Sequence, residues 1–204
     1  MIVQPKRQRI AGVVAFTLLY QCGLAILAVI QHNYEFLYYS AIQLFFVALL
    51  CIAHKRIHYS ISLLWLLSLW GLLHLASGIF FVPESWGETG EPKALQNFRI
   101  ISQLRYQHLE HFCGFFLVTW VSWQTLCSII HTRYQRRLMP TFGLLLLCAT
   151  SSMGYGAFNE LAEFLATKIM EDTLKTGYQD TSWDMVANTA GVFFASITIK
   201  LRNL

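Results

Sequence analysis

Charge is scarce in this chain: Asp, Glu, Lys and Arg make up 13% of 204 residues, against 55% hydrophobic residues and a mean hydropathy of +0.47. That is too little polar surface to clothe an ordinary soluble domain, so soluble globular classes are excluded and a membrane protein is expected. Paired cysteines are missing too. Cys22, Cys51, Cys113, Cys127 and Cys148 lie in apolar segments, odd in number and without a CxxC spacing. A disulfide framework and a zinc knuckle are thereby excluded, which leaves small apolar packing residues. No phosphate-cradling glycine loop, nucleophile elbow or H-E-x-x-H zinc helix occurs, nor any internal repeat or low-complexity tract. Behind the basic N-terminus there is no small-residue cleavage site, so a retained first helix is expected rather than a signal peptide.

What the chain has in quantity is long apolar runs. Six of them, roughly 10–30, 35–53, 59–82, 109–130, 142–167 and 183–201, can each cross a ~30 Å hydrocarbon core at 1.5 Å per residue. The remainder is too short for a soluble domain. The expected fold is all-α: a polytopic membrane helix bundle of about six transmembrane helices, forming a single integral membrane domain over residues 1–204.

The few charges set an orientation. Lys6, Arg7, Arg9, Lys55, Arg56, Arg133, Arg136, Arg137, Lys200 and Arg202 fall on one side of a six-helix zigzag, which the positive-inside rule makes cytoplasmic, with both termini. The other side carries Lys93, Arg99, Arg105, Lys168 and Lys175, and every Asp and Glu lies there or in the adjoining helix halves. Net charge is +4, but topology accounts for the basic groups and no nucleic-acid partner is expected. The long outer connection, 83–104, holds Pro83, Gly87, Gly90 and Pro92 with Glu84, Glu88 and Glu91, and reads as turns followed by a short amphipathic lead-in carrying Phe98, with Trp86 at the interface. Residues 131–141 form a basic inner connection ended by Pro140, and 168–182 a second outer one. His32, His54, His58 and His131 sit in or beside connections, where exposure explains them.

The polar residues of the apolar segments gather at one level. His74 lies in the outer half of the third helix, His108 and His111 at the outer start of the fourth, Glu160 and Glu163 in the outer half of the fifth, and Asp180, Asp184 and Asn188 at the outer start of the sixth. Ionisable groups in hydrocarbon cost about 2.5–3.5 kcal/mol each, so they usually face a polar interior and mark a working site. Residues three, four or seven apart share a helix face. This groups Ser152, Gly156, Glu160 and Glu163; Asp184, Asn188 and Gly191; and Gly71, His74 and Gly78 into three faces whose glycines permit close approach.

Each group has two readings. Glu160 with Glu163 suits general acid/base work or a proton relay, or else hydrogen bonds that fix helix packing. His108 and His111, spaced i,i+3, can supply ligands to a divalent metal beside Glu160, Glu163 and Asp184, or can simply hydrogen-bond. His74 either packs or joins the site. Arg105 either pairs with an acid or an anionic headgroup, or snorkels.

The run Glu160-Leu161-Ala162-Glu163-Phe164, then Tyr178-Gln179-Asp180-Thr181-Ser182-Trp183-Asp184-Met185 with Asn188 and Gly191, resembles the YjdF-type family of uncharacterised bacterial inner-membrane proteins. Tyr106 followed by His111-Phe112, and the stretch from Leu72-Leu73-His74 to Pro83, extend the likeness to residues 60–200. The order His, Glu, then Asp-x-x-x-Asn-x-x-Gly is more distantly similar to VanZ-like membrane proteins. Gln107 stands where the first family's pattern has an acid, and Gly114 follows His111 early. The resemblance implies a six-helix protein of the bacterial inner membrane, embedded in its lipid bilayer.

Three functions fit. The first is action on, or binding of, a lipid or lipid-linked envelope substrate at an outer-leaflet polar site, with Glu160, Glu163, Asp184 and His111 as catalytic candidates and Asp180, Asn188, Arg105, His108 and His74 in support. The second is a proton-coupled transporter using the same acids, and the third a structural or assembly protein with no catalysis.

Overall fold

The computed structural model describes residues 7–83, 93–101, 104–170, 173 and 177–202. Lys6, Lys175 and, in the long connection, Glu84, Trp86, Gly87, Glu88, Gly90, Glu91 and Pro92 lie outside them. Six helices carry the fold: α1 (Arg7–Ile30), α2 (Tyr34–Ile57), α3 (Ile61–Ile79), α4 (Tyr106–Tyr134), α5 (Phe142–Ile169) and α6 (Tyr178–Arg202). Four of them are long and apolar enough to cross a membrane by length and composition: α1 from Ile10, α2, α3 and α4. α5 and α6 are similarly long, at 28 and 25 residues.

Local chemistry sets the helix ends. Asn33 accepts the Phe36 N–H at 3.1 Å, capping α2, and donates to the Gly78 carbonyl at 3.1 Å, which fastens the start of α2 to the end of α3. His58 and Gln135 close α2 and α4 in the left-handed region, at φ 57° and 52°. Three boundaries differ from the hydropathy reading with consequences for the site. α4 begins at Tyr106, so His108 is helical; α6 begins at Tyr178, so Asp180 is in its first turn; and residues 80–82 are extended. Polar first turns are invisible to a hydropathy window, because caps and buried partners stabilise them rather than burial in lipid.

The long connection differs as well. In place of an amphipathic lead-in there are two short antiparallel ladders: β1 (Phe81–Val82) with β2 (Lys93–Ala94), and β3 (Arg99–Ile101) with β4 (Leu104–Arg105). A 3-10 turn at Leu95–Asn97 joins them. Pieces of two or three residues, with β-branched Val82, Ile100 and Ile101, are too short to nucleate a helix.

The bundle has an apolar exterior and a polar interior. Leu19, Ile30, Ile52, Phe142, Leu147, Phe158, Ile169 and Phe193 face outward. Inside, Thr17 meets Ser68 at 2.6 Å, Ser40 donates to Gln21 at 2.8 Å and Gln43 donates to Tyr20 at 2.9 Å, clamping α1, α2 and α3. One end of the bundle gathers the basic connections. There the Lys200 ammonium donates to the Pro140 carbonyl at 3.0 Å, Arg202 lies over the Trp120 ring, and the Ser60 N–H donates to Gln124 at 2.9 Å. The opposite end gathers the acids.

α4 is the hub, and its closest neighbour is α6. Gly191 makes that closeness possible, since a methyl group there would run into the Phe112 carbonyl oxygen, a backbone atom that cannot swing aside. Gly191→Ala should therefore lose about 1–3 kcal/mol, read as a lower unfolding midpoint in detergent. Gly23→Ala on α1, where nothing lies within 4 Å of an added methyl, should stay within about 0.5 kcal/mol of the parent. Equal midpoints for the two variants would refute the close-approach argument.

Candidate functional site

The acid-rich end is organised around two faces of α4. At its start the Arg105 N–H donates to His108 Nδ1 at 3.0 Å. Nδ1 is thus an acceptor, and the imidazole proton resides on Nε2. His108 is only 2% exposed, its Nε2 has no hydrogen-bond partner among the described residues, and it points towards Asp184 Oδ1 at 3.9 Å. One helical turn on, His111 Nδ1 lies 3.0 Å from Asn188 Oδ1, while Nε2 lies 3.7 Å from Asp184 Oδ1 and 3.8 Å from Glu163 Oε1. Glu160 Oε1 stands 3.9 Å from His111 Nδ1. Asn159 donates to Glu163 Oε1 at 2.7 Å, and Gln107 Nε2 reaches Asp184 Oδ1 at 3.5 Å. Asp184 and Asn188 are wholly buried.

The i, i+4 spacing on α6 explains why Asp184 and Asn188 reach His111 together, and i, i+3 on α5 does the same for Glu160 and Glu163. Gly156, one turn below Glu160, sits against Asn188 and Phe115. Nearer the end of the bundle, Arg105 Nη1 pairs with Asp180 Oδ1 at 2.9 Å. This ion pair joins the N-cap of α4 to the first turn of α6.

The second face of α4 carries Glu110, 100° round the helix from His111 and so directed at α3. Ser77 Oγ donates to Glu110 Oε2 at 3.0 Å, and His74 Nδ1 stands 3.8 Å from the same oxygen. The Trp70 indole donates to the Glu110 carbonyl at 2.9 Å and stacks on His74 with a 12° interplanar angle. Beyond His74, the Tyr39 hydroxyl donates to Glu35 Oε1 at 3.2 Å, and Glu35 is buried.

The structure therefore brings His111, Glu160, Glu163, Asp184, Asn188 and His108 into one cluster. It sets Arg105 and Asp180 beside that cluster as a pair, and His74 in an adjoining cluster with Glu110. Sequence reading named neither Glu110, Glu35 nor Asn159, and treated Gln107 only as a missing acid. Glu110 was signalled by its place beside His111 at the depth of His74.

An apolar cavity of about 1270 Å³ runs from this end into the bundle. Tyr39, His74, Glu110, His111 and Asn159 line its polar end; Val47, Leu50, Leu64, Leu67, Phe115 and Val118 line its length. Phe46, Leu49, Tyr155 and Phe158 line it and are also exposed, so the cavity reaches the exterior along the α2–α5 seam. That seam is bridged by the Phe46–Tyr155 ring contact and by the Tyr38 hydroxyl, 3.4 Å from the Ala162 carbonyl. At the far end stand His54, Lys55, His58 and Tyr59. His54 is 7% exposed, which corrects the expectation that exposure accounts for it: the αL turn at His58 folds the chain back over the ring. Tyr59, in the connection between α2 and α3, bonds Thr125 Oγ1 at 2.8 Å; burial pushes its phenol above the ordinary 10.0, so it stays neutral.

Buried ionisable residues between helices with apolar exteriors define a helical membrane protein with a polar interior. Within that class, the chain belongs to the family described as predicted membrane protein (DUF2238), whose sequence model matches residues 12–203. Neither curated proteins nor solved structures gave a match.

Proposed function

We propose that the protein acts on, or binds, a lipid or lipid-linked envelope substrate whose hydrocarbon chain occupies the cavity and whose polar group meets His111, Glu160 and Glu163. The observation that carries this reading is the cavity itself, an apolar channel whose polar end is lined by His111, Glu110, His74 and Asn159, with Glu160 and Glu163 behind His111 and Asn159, and which is open along a lipid-facing seam. Along α2 it runs from Tyr39 to Lys55, about 24 Å at 1.5 Å per residue. One leaflet of a ~30 Å core is about 15 Å deep, so the channel is long enough for an entire hydrocarbon tail. Glu163 and Glu160 are the acid/base candidates, and Asp184 and His111 their partners. Asp180, Asn188, Arg105, His108 and His74 support them.

The reading places all six helices across a bacterial inner membrane as one integral domain, with both termini cytoplasmic and the acids at the outer leaflet. The outward apolar residues of α5 and α6, such as Phe158, Phe164, Val186 and Phe193, support the last two crossings. The gathered basic connections support the orientation. The narrower likeness to YjdF-type and VanZ-like proteins carries no part of it.

Complementation of a deletion strain by Glu163→Gln, coupled to lipid profiling, tests the reading. Deletion should shift the profile, the parent gene should restore it, and Glu163→Gln should leave at most about 1% of the activity, since acid/base groups contribute 10²–10⁴-fold. A deletion strain with an unaltered profile would sink the proposal.

A second reading, a proton-coupled transporter, is favoured by the continuation of the cavity from His111 to His54 and Lys55 at the opposite end. Under it, vesicles holding the purified protein show a proton flux that Glu160→Gln or Glu163→Gln abolishes. Absence of flux in the parent removes it.

A further inference from the structure

The geometry points to a divalent transition-metal site held by His111, Glu160 and Glu163. One ligand atom from each of these residues lies within 4.8 Å of the other two, and all three are buried or nearly so. The donors come from two helices, an imidazole from α4 and two carboxylates from α5.

Several independent features favour an ion over a plain ion-pair cluster. The first is the state of His111. With Nδ1–H donated to Asn188 Oδ1 at 3.0 Å, Nε2 is the nitrogen that faces Glu163 and Asp184, and in the neutral imidazole it presents its lone pair between them. A divalent cation there would meet that nitrogen together with carboxylate oxygens. Metal-bound histidines almost always have this arrangement, the distal nitrogen donating to a fixed oxygen so that the other is presented to the metal. The second is spacing. His111 Nε2 stands 3.8 Å from Glu163 and 3.7 Å from Asp184, and Glu160 stands 3.9 Å from Nδ1 on the other side of the ring, all too long for hydrogen bonds. Donors bound at 2.0–2.2 Å to one ion stand about 3–3.5 Å apart, so a small inward movement closes the set.

The third is His108. Its protonated Nε2, 98% buried by its 2% exposure, points without a hydrogen-bond partner among the described residues towards Asp184, the same carboxylate that faces His111. A donor there suits an oxygen ligand of the metal, a water or a substrate oxygen, and does not itself ligate. The fourth is charge. Glu35, Glu110, Glu160, Glu163, Asp180 and Asp184 all lie at this end, where Arg105 pairs with Asp180. A buried excess of carboxylates is costly, and a divalent cation offsets two of them.

One imidazole with carboxylate oxygens and no thiolate is a nitrogen–oxygen donor set suited to zinc or manganese. Bound there, the ion would polarise an ester or phosphoryl oxygen presented from the cavity, or a water beside it. In that sense the inference deepens the lipid-substrate reading, but the site's existence is measured separately from any turnover.

The test uses the full-length protein, purified in detergent and stripped with a chelator, then titrated with zinc chloride and, separately, manganese chloride. Bound metal is counted by plasma mass spectrometry and affinity read by calorimetry. The expected result is one ion per chain, with binding at least a hundredfold weaker in His111→Ala and in Glu160→Gln/Glu163→Gln. Asn188→Ala, which removes only the orienting oxygen, should weaken it 10–100-fold, and His32→Ala should not change it. Helical circular dichroism and a single size-exclusion peak verify each variant as folded, and Asn188→Ala preserves the test if the ligand variants are not. Less than a tenth of an ion per parent chain, or undiminished binding in the folded ligand or Asn188 variants, overturns the site. A lipid phenotype in the deletion strain with no metal bound would overturn this inference and leave the substrate reading standing.

Discussion

Arg105→Ala should destabilise the folded bundle by about 3 kcal/mol, and adding Asp180→Asn should recover most of that loss. Arg105 is the N-cap residue of α4 and Asp180 sits in the first turn of α6, with Arg105 Nη1 2.9 Å from Asp180 Oδ1. The Asp180 side chain is 7% exposed, so removing the guanidinium leaves a buried carboxylate deprived of its ion pair, close to Asp184 and short of solvent. Breaking a buried pair costs about 3–5 kcal/mol, because the remaining charge keeps its desolvation penalty. The lower end applies here. Arg105 is 23% exposed, and the amino-terminal dipole of α6 favours a carboxylate in its first turn. Asp180→Asn removes the charge while keeping the shape, so the double variant no longer carries the penalty. Unfolding midpoints in detergent for the parent, both single variants and the double close the cycle. Additive losses would mean that the pair is a surface contact and that Arg105 merely snorkels.

The pair also marks how far sequence reading reaches. Both residues were legible as polar groups at the outer level, with Asp180 at the outer start of the sixth helix, but the apolar run began only at 183, because nothing in a hydropathy run marks a polar first turn. The helices themselves were legible, since an apolar run of membrane length has few alternatives to a helix. Legible too were the shared faces of Glu160 with Glu163 and of Asp184 with Asn188, because i, i+3 and i, i+4 spacings fix which side chains of one helix share a face.

Relations between helices were not legible. Glu110 is adjacent to His111 in sequence yet faces α3, where Ser77, His74 and Trp70 receive it. Only the rotation of α4 against its neighbours decides which face meets which. The cavity is likewise a property of packing, formed where α2 and α5 touch through Phe46, Tyr155 and Tyr38 rather than along their backbones. His54 shows the same limit at the other end, where a histidine beside a turn is buried by the return of the chain through His58.

His111→Gln should abolish function while leaving the bundle almost as stable as the parent. His111 is approached by the polar groups of two helices: Asn188 and Asp184 from α6, and Glu160 and Glu163 from α5, all onto one imidazole of α4. A glutamine there can still bond Asn188, so the contact that joins α4 to α6 survives, and a polar-for-polar exchange at constant helix geometry should cost no more than about 1 kcal/mol. What glutamine cannot do is shuttle a proton near neutral pH or present an aromatic nitrogen lone pair to a metal. Loss of a positioned acid/base group lowers rates about 10²–10⁴-fold, so complementation of the deletion strain should fail at parental protein levels. The alternative, a cluster that only locks helices, makes the opposite demand. Buried polar pairs in membranes contribute on average about 0.6 kcal/mol, so a lock of this kind would let His111→Gln complement fully wherever the protein accumulates. Unfolding midpoints and complementation measured on the same variant therefore separate the two: a stable, inactive His111→Gln requires chemistry at the imidazole, and a stable, active one excludes it.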